Sequence, residues 1–495
     1  MRRIFSHPVT ALVIGLCLRL LFVLRFPATS GDTVLYEQIA TNWLKHGAYA
    51  MDVNGAIQPV DLRMPGYAAY LALVSWLTGK TGEAARQWVM LGQVAVDLLG
   101  CVVIAALAVV LLIPAVADAR GPKRVFMAAL WLAALCPFTA DYTAVPLTET
   151  FAVFLTGLAM LLFVLQVQMH ASGFVLPLPS RNGRLRSFVG RNFLHFLMIG
   201  PGFLVGIATL FRPESPLLLV AGLLTLLFVV RPVRLGGALQ IVLLSGCACV
   251  LPLLPWAIRN FVTLHEVQFL APKNSNLPGE LVPYGFMAWE KTWLFRVRDC
   301  YLVPWKLNGE AIDVETIPAR AFDSAEEKQR VAMILEPYNE ELTLTKEEDD
   351  VFAQLARERT ARHPLRTYLW LPALRAVTMW FAPRIELLPV SGTVFPLRQS
   401  WQDDRVDQSV TVGMFLLNVF YVGLAIGGGW RLWRASPEAR PAVALLMVFI
   451  ALRTVFLTTV ETPEPRYVLE CFPAVIALGA QVFGRNKNQT VEPVA

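Results

Sequence analysis

Residues 86–112 read RQWVMLGQVAVDLLGCVVIAALAVVLL, and this stretch sets the class of fold. After Arg86, its one charged residue is Asp97. An α-helix of about 20 apolar residues is long enough to cross a hydrocarbon core about 30 Å thick. The stretch therefore predicts a membrane-spanning helix. A carboxylate inside such a helix is costly, so Asp97 needs a partner or a function.

Apolar runs like 86–112 recur along the whole chain. Of its 495 residues, 56% are hydrophobic and only 16% are charged. Length alone would suggest about three soluble domains, but the repeated runs exclude an ordinary soluble protein. We predict an all-α polytopic membrane protein with about ten transmembrane helices. The predicted spans are 8–26, 86–112, 125–140, 148–169, 193–212, 214–230, 235–258, 409–430, 441–460 and 467–484. The first run has no small-residue cleavage site, so we interpret it as a retained helix and not as a signal peptide.

Basic residues lie mainly in the short connections between the predicted spans. Cytoplasmic loops carry an excess of lysine and arginine. Each basic group follows an even number of predicted crossings, which places these loops and both termini in the cytoplasm and the protein in the inner (plasma) membrane. The net charge of +6 therefore gives no reason to expect a nucleic-acid partner. The basic residues are Arg2, Arg3, Arg120, Lys123, Arg124, Arg181, Arg184, Arg186, Arg191, Arg231, Arg234, Arg431, Arg434, Arg440, Arg485 and Lys487.

Two long segments fall on the opposite, extracytoplasmic (periplasmic) side. We predict a transmembrane domain at 1–258, whose first outer loop, 27–85, carries the catalytic residues. A large loop or cap follows at 259–408. Residues 409–495 form the C-terminal transmembrane helices and a short cytoplasmic tail.

Both outer segments contain sequence that predicts short helices. Residues 65–76 and 368–381 are apolar but too short to cross a membrane, so we predict interfacial or re-entrant helices there. Thr345 followed by Glu348 is a capping box, which predicts a helix that runs to about Arg362.

Acidic and basic side chains gather at the outer ends of the predicted spans. On the predicted threading they share one level, the outer membrane interface. That depth suits a lipid phosphate headgroup, and arginine binds phosphate oxygens well. These residues are Asp32, Glu149, Arg212, Glu214, Arg259, Glu461, Glu464 and Arg466.

Charged residues inside a predicted span are costly to place in a membrane. Arg19, Asp97 and Arg453 are candidates for function, but a buried structural ion pair is the simpler interpretation. The cysteines have neither the pattern of a disulfide framework nor metal-ligand spacing with histidine. They predict small apolar fillers and no metal site.

The first outer loop carries the residues of a known family. Residues 31–47, GDTVLYEQIATNWLKHG, follow the pattern D-x3-Y-x7-L-x2-G, and Met64-Pro65-Gly66-Tyr67 and then Arg86 come after them. This arrangement resembles the first outer loop of bacterial GT-C glycosyltransferases, namely the protein O-mannosyltransferases and the lipid A aminoarabinose transferases. The resemblance implies a GT-C type helical bundle. It also implies that the acid after the first helix, Asp32, is catalytic.

Further motifs match landmarks of the same family at helix ends. They are Thr148-Glu149, Phe211-Arg212-Pro213-Glu214, Pro255-Trp256-Ala257-Ile258-Arg259-Asn260 and Arg466-Tyr467. The resemblance covers about residues 1–275 and 440–480, and 276–408 match no known pattern. We predict catalytic roles for Asp32 and Glu149. The residues predicted to bind the donor phosphate or the substrate are Arg63, Arg212, Arg259, Arg466, Tyr36, Tyr67 and Tyr467.

One departure from the family concerns metal. Many members carry a second acid directly after the first, whereas Thr33 follows Asp32 here. Asp52 and Asp61 lie later in the same loop and are possible substitutes. We predict that no divalent metal is essential, which makes the metal-dependent oligosaccharyltransferases of this fold weaker guides. Asp32 also stands where it can cap a helix over 33–45.

The resemblance implies an integral-membrane glycosyltransferase without a cofactor. Such an enzyme moves a sugar from a polyprenyl-phosphate donor to a hydroxyl of a protein, glycolipid or polysaccharide, with inversion and with Asp32 as general base. The aromatic residues of 284–305 are predicted either to stack on sugar rings or to anchor in the interface. A transporter or flippase for a lipid-linked glycan is the alternative.

Overall fold

The computed structural model describes residues 7–112, 120–172, 197–230, 235–274, 276–277, 280–394, 401 and 404–484. The described chain is helical apart from one two-stranded hairpin. Its helices are α1 (Pro8–Arg25), α2 (Gly31–His46), α3 (Pro65–Thr78), α4 (Arg86–Leu112), α5 (Arg120–Ala134), α6 (Pro137–Ala140), α7 (Glu149–Ser172), α8 (Leu197–Thr209), α9 (Pro216–Phe228), α10 (Leu235–Val250), α11 (Leu254–Leu264), α12 (Tyr284–Lys291), α13 (Val297–Cys300), α14 (Ala325–Glu341), α15 (Lys346–Arg362), α16 (Leu371–Phe381), α17 (Arg405–Ala435), α18 (Arg440–Leu457) and α19 (Phe472–Gly479).

Seven helical stretches among the described residues are long and apolar enough to cross a membrane. They are Pro8–Arg25, Gly82–Leu112, Glu149–Met169, Leu239–Leu264, Arg405–Ala435, Pro437–Leu457 and Pro465–Phe483. A pair bent by 54°, Gly121–Ala134 with Pro137–Ala144, makes an eighth if it is one broken span. The spans predicted at 193–212 and 214–230 contain the shorter helices α8 and α9. The count of about ten therefore stays a prediction.

The predicted orientation also stays a prediction. Many of the basic residues on which it depends lie outside the described residues. These are Arg2, Arg3, Arg181, Arg184, Arg186, Arg191, Arg231, Arg234, Arg485 and Lys487.

The chain divides into two compact units. Unit 1 contains residues 1–272, 383–450 and 469–495, and unit 2 contains 273–382 and 451–468. Unit 1 therefore holds the first outer loop and most of the apolar helices.

An ion pair between Arg19 and Asp97 lies inside unit 1. The arginine is completely buried, the carboxylate is 5% exposed, and Arg19 Nε donates to Asp97 Oδ2 at 2.6 Å. Arg19 also donates to the carbonyls of Gly15, Ala133 and Ala134. These contacts tie α1 to α4 and α5, so the prediction of a buried structural pair is confirmed for these two residues.

The start of α2 is fixed by Ser30 and not by Asp32. The Ser30 amide donates to Thr33 Oγ1 at 3.1 Å, and Asp32 is the second residue of the helix. The alternative interpretation of Asp32 as the cap of this helix therefore does not apply, because Asp32 lies inside the helix. An acid in the first helical turn is still favoured by the helix dipole. The helix ends at Gly47, whose φ of 66° suits glycine.

A β-hairpin that was not predicted from the sequence follows α2. Strand β1 (Ala50–Val53) pairs antiparallel with β2 (Ala56–Pro59). Asn54 and Gly55 form the turn with φ values of 53° and 80°, as a type I′ turn requires.

The short helix predicted at 65–76 is present as α3. Pro65 occupies its first turn, where the missing N–H costs nothing, and Gly79 ends it with a φ of 68°. The amide of Gly66 donates to the Leu210 carbonyl at 2.8 Å. A Cβ on Gly66 would lie 2.7 Å from that oxygen, so only glycine permits this close approach. The contact brings α3 against the end of α8, next to Arg212.

Unit 2 has its own hydrophobic core. Thr345 and Glu348 exchange hydrogen bonds as predicted, which confirms the capping box and the helix to Arg362. Trp289 and Trp293 are 1% exposed and belong to the core, so they are not available to stack on sugars. The aromatic residues of the same segment that remain exposed are Tyr284, Tyr301 and Trp305.

The short helix predicted at 368–381 is present as α16, with one wider helical turn before it. Its buried side carries Arg375, which donates to the carbonyls of Lys291, Leu294 and Thr458. Its other side is apolar and exposed. The interfacial location of α16 stays a prediction. Arg453 is completely buried in this unit, and its Nε donates to the Tyr467 carbonyl at 3.0 Å.

Candidate active site

Asp32 and Arg63 form an accessible ion pair at the start of α2. Arg63 Nη2 donates to Asp32 Oδ1 at 2.5 Å. The side chains are 21% and 28% exposed for the arginine and the acid, respectively. Arg63 lies between the hairpin and α3, so the fold of the first outer loop supplies the partner of the acid.

A second ion pair joins Glu149 to Arg212. Glu149 is the first residue of α7, where the helix dipole favours an acid. Its Oε1 accepts from Arg212 Nη2 at 2.7 Å, and the acid is 3% exposed. Two further acids, Glu214 and Glu470, each lie 3.8 Å from the same guanidinium.

Glu470 was not predicted as a site residue. It is 4% exposed and accepts a hydrogen bond from Thr156 Oγ1 at 3.2 Å. It lies inside the predicted span 467–484. The rule that an acid within a span needs a partner or a function would have identified it.

The N-terminus of α2 is docked on the chain just before α7. The Ala28 amide donates to the Ala144 carbonyl at 3.0 Å. Thr33, completely buried, donates from Oγ1 to the Pro146 carbonyl at 3.2 Å. These bonds hold Asp32 and Glu149 in the same part of unit 1.

Tyr36 lies within electrostatic reach of both ion pairs. It is 6% exposed, on the turn of α2 after Asp32. Burial raises the pKa of its phenol, because the phenolate would lose hydration. Smaller influences of both signs come from Arg63, Asp32, Arg212 and Glu149. Tyr36 is therefore near enough to both ion pairs to be influenced by their charges.

Tyr67 packs against Tyr36. The two rings meet edge to face, with centroids 5.0 Å apart. Tyr67 is completely buried and donates its hydroxyl to Gln93 Oε1 at 2.6 Å. Gln93 Nε2 in turn donates to the carbonyls of Tyr142, Thr143 and Val145. This chain of bonds fixes the segment that leads into α7.

Arg259 holds the hairpin in place. Its Nη2 donates to the Tyr49 carbonyl at 2.6 Å, and its Nη1 donates to the Val60 carbonyl at 2.8 Å. Its guanidinium also lies 5.3 Å and 5.2 Å from the ring centroids of Tyr49 and Trp256. Arg259 thus connects α11 to both ends of the hairpin, and the chain that leaves the hairpin carries Arg63. Its predicted contact with the donor phosphate stays a prediction.

Arg466 and Tyr467 belong to unit 2, where both contact Glu464. Arg466 Nε lies 2.7 Å from Glu464 Oε2, and the Tyr467 hydroxyl donates to Glu464 Oε1 at 2.6 Å. Glu461 in the same unit pairs with Lys291 and Lys273 at 2.7 Å and 3.1 Å. The predicted role of Arg466 and Tyr467 in donor binding stays a prediction.

The residue after Asp32 is a packed threonine and not a second acid. Thr33 is completely buried and bonded to backbone on both sides. Asp52 is exposed on β1, and Asp61 is partly exposed. Within the described ranges, no group of three or more His, Cys, Asp or Glu side chains is arranged to hold a metal ion.

No family model matches the sequence, and no curated protein matches it. Several solved structures are similar. The oligosaccharyltransferase of Archaeoglobus fulgidus, tethered with an acceptor peptide that contains the NVT sequon, has a TM-score of 0.49 and 12% identity, over 95% of this chain and 49% of that chain. The chain thus spans about half the length of that protein.

Two further similar structures contain lipid phosphates. One is AglB, the oligosaccharyltransferase of Archaeoglobus fulgidus, in complex with an inhibitory peptide and a dolichol-phosphate, at a TM-score of 0.47 and 13% identity, over 95% of this chain and 50% of that chain. The other is ArnT from Cupriavidus metallidurans bound to undecaprenyl phosphate, at 0.37 and 13%, over 96% of this chain and 77% of that chain.

The names of two of these similar structures can be compared with the family that the sequence motifs resemble. AglB and ArnT are GT-C glycosyltransferases, the class that the motifs of the first outer loop resemble. At these identities and TM-scores the likeness is distant. The functional proposal below therefore depends on the residues of this chain alone.

Proposed function

We propose that this chain is an integral-membrane glycosyltransferase that uses a polyprenyl-phosphate sugar donor, with Asp32 as its general base. The observation that supports this most is the accessible Asp32–Arg63 pair beside Tyr36. It combines a carboxylate that can take a proton with a cation that can hold a phosphate. The apolar faces of the long helices of the same chain would hold the isoprenoid tail.

The proposed step is a direct displacement at the anomeric carbon of the sugar. The acceptor hydroxyl oxygen forms the new bond to that carbon, and its proton passes to the Asp32 carboxylate. The bond between the carbon and the phosphate oxygen breaks, and polyprenyl phosphate leaves with the electron pair. Displacement from the opposite face inverts the configuration of the carbon.

Cationic side chains stabilise the phosphate as it leaves. The phosphate gains negative charge while the bond breaks, so cations bind the transition state more strongly than the ground state. Arg63 and Arg212 are proposed to supply this charge, because both act electrostatically on Tyr36, and Glu149 orients Arg212. Arg466 and Tyr467 are further proposed ligands of the donor, on the sequence motifs alone. Arg259 is proposed to act on the donor phosphate or, through the hairpin, on the position of Arg63.

The proposed enzyme needs no divalent metal and works on the extracytoplasmic side. Its acceptor is a hydroxyl of a protein, a glycolipid or a polysaccharide. Thr33 supports the metal-independent mechanism, because it stands where many members of the family carry a second acid.

The test is a transfer assay in two stages. Lipid extracts from cells that lack the protein should accumulate one polyprenyl-phosphate sugar, which identifies the donor. Purified protein should then release polyprenyl phosphate from that donor when an acceptor is added, in detergent and in the presence of EDTA. Movement of the donor across vesicles without any transfer would contradict the proposal and favour a transporter. Loss of activity in EDTA that Mg²⁺ or Mn²⁺ restores would contradict the metal-independent mechanism.

A further inference from the structure

Arg63 holds the carboxylate of Asp32 and is also one of the cations proposed above to bind the donor phosphate. We propose that Asp32 and the donor phosphate compete for the Arg63 guanidinium, so that donor binding releases the general base. This inference rests on the proposed function and adds a regulatory step to the same site.

The geometry makes this competition possible. The pair is partly open to its surroundings, at 21% and 28% exposure, so an anion can reach the guanidinium without unfolding the loop. Arg63 Nη1 donates to the Leu62 carbonyl at 3.1 Å, which anchors the side chain while Nη2 holds Asp32. A guanidinium has five N–H donors in a planar fork and binds phosphate strongly, often in a bidentate manner.

The same helix offers an ion pair of a different kind. Arg86 donates from Nε and Nη2 to the two carboxylate oxygens of Glu37, at 2.6 Å and 2.9 Å. This bidentate bond ties the start of α4 to α2. Glu37 lies five positions after Asp32 on α2 and is 12% exposed. Glu37 and Arg86 therefore form a matched carboxylate–arginine pair with a structural role.

The electrostatic consequence follows from linkage. A carboxylate beside an arginine is a weak base, because the cation stabilises its charged form. Once a phosphate draws the guanidinium away, the carboxylate loses that stabilisation and binds a proton more readily. The order of events is then set: the donor binds first, and only afterwards is the base strong enough to deprotonate the acceptor. Coupling between two sites is reciprocal, so removal of the Asp32 charge must strengthen phosphate binding.

The experiment is a double-mutant cycle with undecaprenyl phosphate as the probe. Binding to the purified full-length chain in lipid nanodiscs at pH 7.5 is measured for wild type, Asp32→Asn, Arg63→Ala and the double variant. We expect Asp32→Asn to tighten binding by about tenfold, within the usual range of coupling between sites. In the Arg63→Ala background, the same change should alter binding by less than about twofold. The control Glu37→Gln should leave probe binding within about twofold of wild type.

Two results of the cycle would overturn the proposal. One is unchanged or weaker binding by Asp32→Asn. The other is equal tightening in both backgrounds, because removal of any nearby negative charge would then explain the effect. Failure of wild type to bind the probe would instead contradict the proposed function, and the inference with it.

A second measurement needs no variant. When the assay uses saturating acceptor, kcat/KM for the donor reports the base in the free enzyme, and kcat reports it in the donor complex. As pH falls, kcat should decline at a higher pH than kcat/KM does, because Asp32 binds a proton more readily once the donor is bound. Coincident declines would overturn the proposal even if the variants failed to fold.

Discussion

Two arginine–aspartate pairs in the described part of unit 1 have nearly the same bond length and different surroundings. Arg19 and Asp97 meet at 2.6 Å with exposures of 0% and 5%. Arg63 and Asp32 meet at 2.5 Å with exposures of 21% and 28%. The first pair lies between packed helices, and the second lies at a helix end beside Tyr36. Burial, and not bond length, separates a structural ion pair from a candidate catalytic one.

The partners of each arginine support this distinction. Arg19 donates to three backbone carbonyls in addition to Asp97, from α1 and from the end of α5. A Cβ on Gly15 would lie 3.0 Å from the Ala134 side chain, so the helices are in close contact there. An incoming ligand cannot reach such a pair. Arg63, in contrast, lies on the loop between the hairpin and α3, where its side chain is partly exposed.

The largest expected effect is on folding, when Arg19 alone is removed. Arg19→Met leaves the Asp97 carboxylate buried without its cation, which should cost about 3–5 kcal/mol. The double variant Arg19→Met, Asp97→Leu should recover most of that loss, because well-packed apolar residues often replace a buried pair without cost. Thermal unfolding in detergent measures the stability of the single and the double variant. A single variant as stable as wild type would show that the pair is not structural.

The second effect concerns the acid that orients Arg212. Glu149→Gln should lower turnover by up to about 100-fold, because misplacement of a catalytic cation by about 1 Å costs that much. The matched control is Glu214→Gln, whose carboxylate lies 3.8 Å from the same guanidinium, compared with 2.7 Å for Glu149. The control should lose clearly less activity. Equal losses would show that only the total charge around Arg212 matters.

A smaller effect is expected at the hairpin. Arg259→Lys keeps the charge, but an ammonium cannot reproduce the planar fork that holds the carbonyls of Tyr49 and Val60. Loss of one such bond should make local opening of the hairpin easier by about 1.5–3 kcal/mol. Hydrogen exchange of residues 49–60 measures the opening. Unchanged protection with lower donor affinity would instead support direct contact between Arg259 and the phosphate.

The local features of this chain were predictable from its sequence, because each depends on neighbouring residues. The apolar helices, the capping box at Thr345 and the short helix after Pro65 are examples. The Arg19–Asp97 pair was predictable too, since charges inside spans have few possible partners. The alternative role of Asp32 as a helix cap is excluded, because Ser30 occupies that position two residues earlier.

The contacts that build the site depend on packing between distant segments. Arg63 is 31 residues from Asp32, and Arg212 is 63 residues from Glu149. The close approach of Gly66 to the Leu210 carbonyl brings these segments together, and no local pattern announces it. The hairpin at 50–59 was missed because its strands are short, although Asn54-Gly55 is a known turn signal. Glu470 was not predicted because the span around it was identified from its apolar residues alone.

The smallest expected effect extends the comparison to a buried acid in unit 2. Glu290 is 2% exposed, and its Oε1 has no hydrogen-bond partner within the described part of the chain. Burial raises the pKa of Glu290 well above its ordinary value, with a further contribution from the charge of Glu461. The folded protein therefore favours the neutral acid. Its contribution to the free energy of unfolding is fully present below the pKa that Glu290 has in the unfolded chain. That contribution is lost as pH rises towards the higher pKa of the folded protein.

Glu290→Gln removes that pH dependence. Thermal unfolding of wild type and variant across pH 4.5–8 should show the variant gaining stability relative to wild type as pH rises. Parallel curves would mean that Glu290 is ionised in the folded protein. In that case it would resemble Asp97, which has an arginine bonded to it.

The most direct measurement compares two isosteric changes, Asp32→Asn and Asp97→Asn, for turnover per folded molecule and for thermal unfolding. Asp32→Asn should lower turnover by about 100-fold or more, as removal of a general base does, and should unfold close to the wild-type temperature. Asp97→Asn should unfold at a clearly lower temperature, while the molecules that remain folded turn over like wild type. Near-normal turnover in Asp32→Asn, or a loss of stability equal to that of Asp97→Asn, would contradict the assignment of Asp32 as the catalytic base.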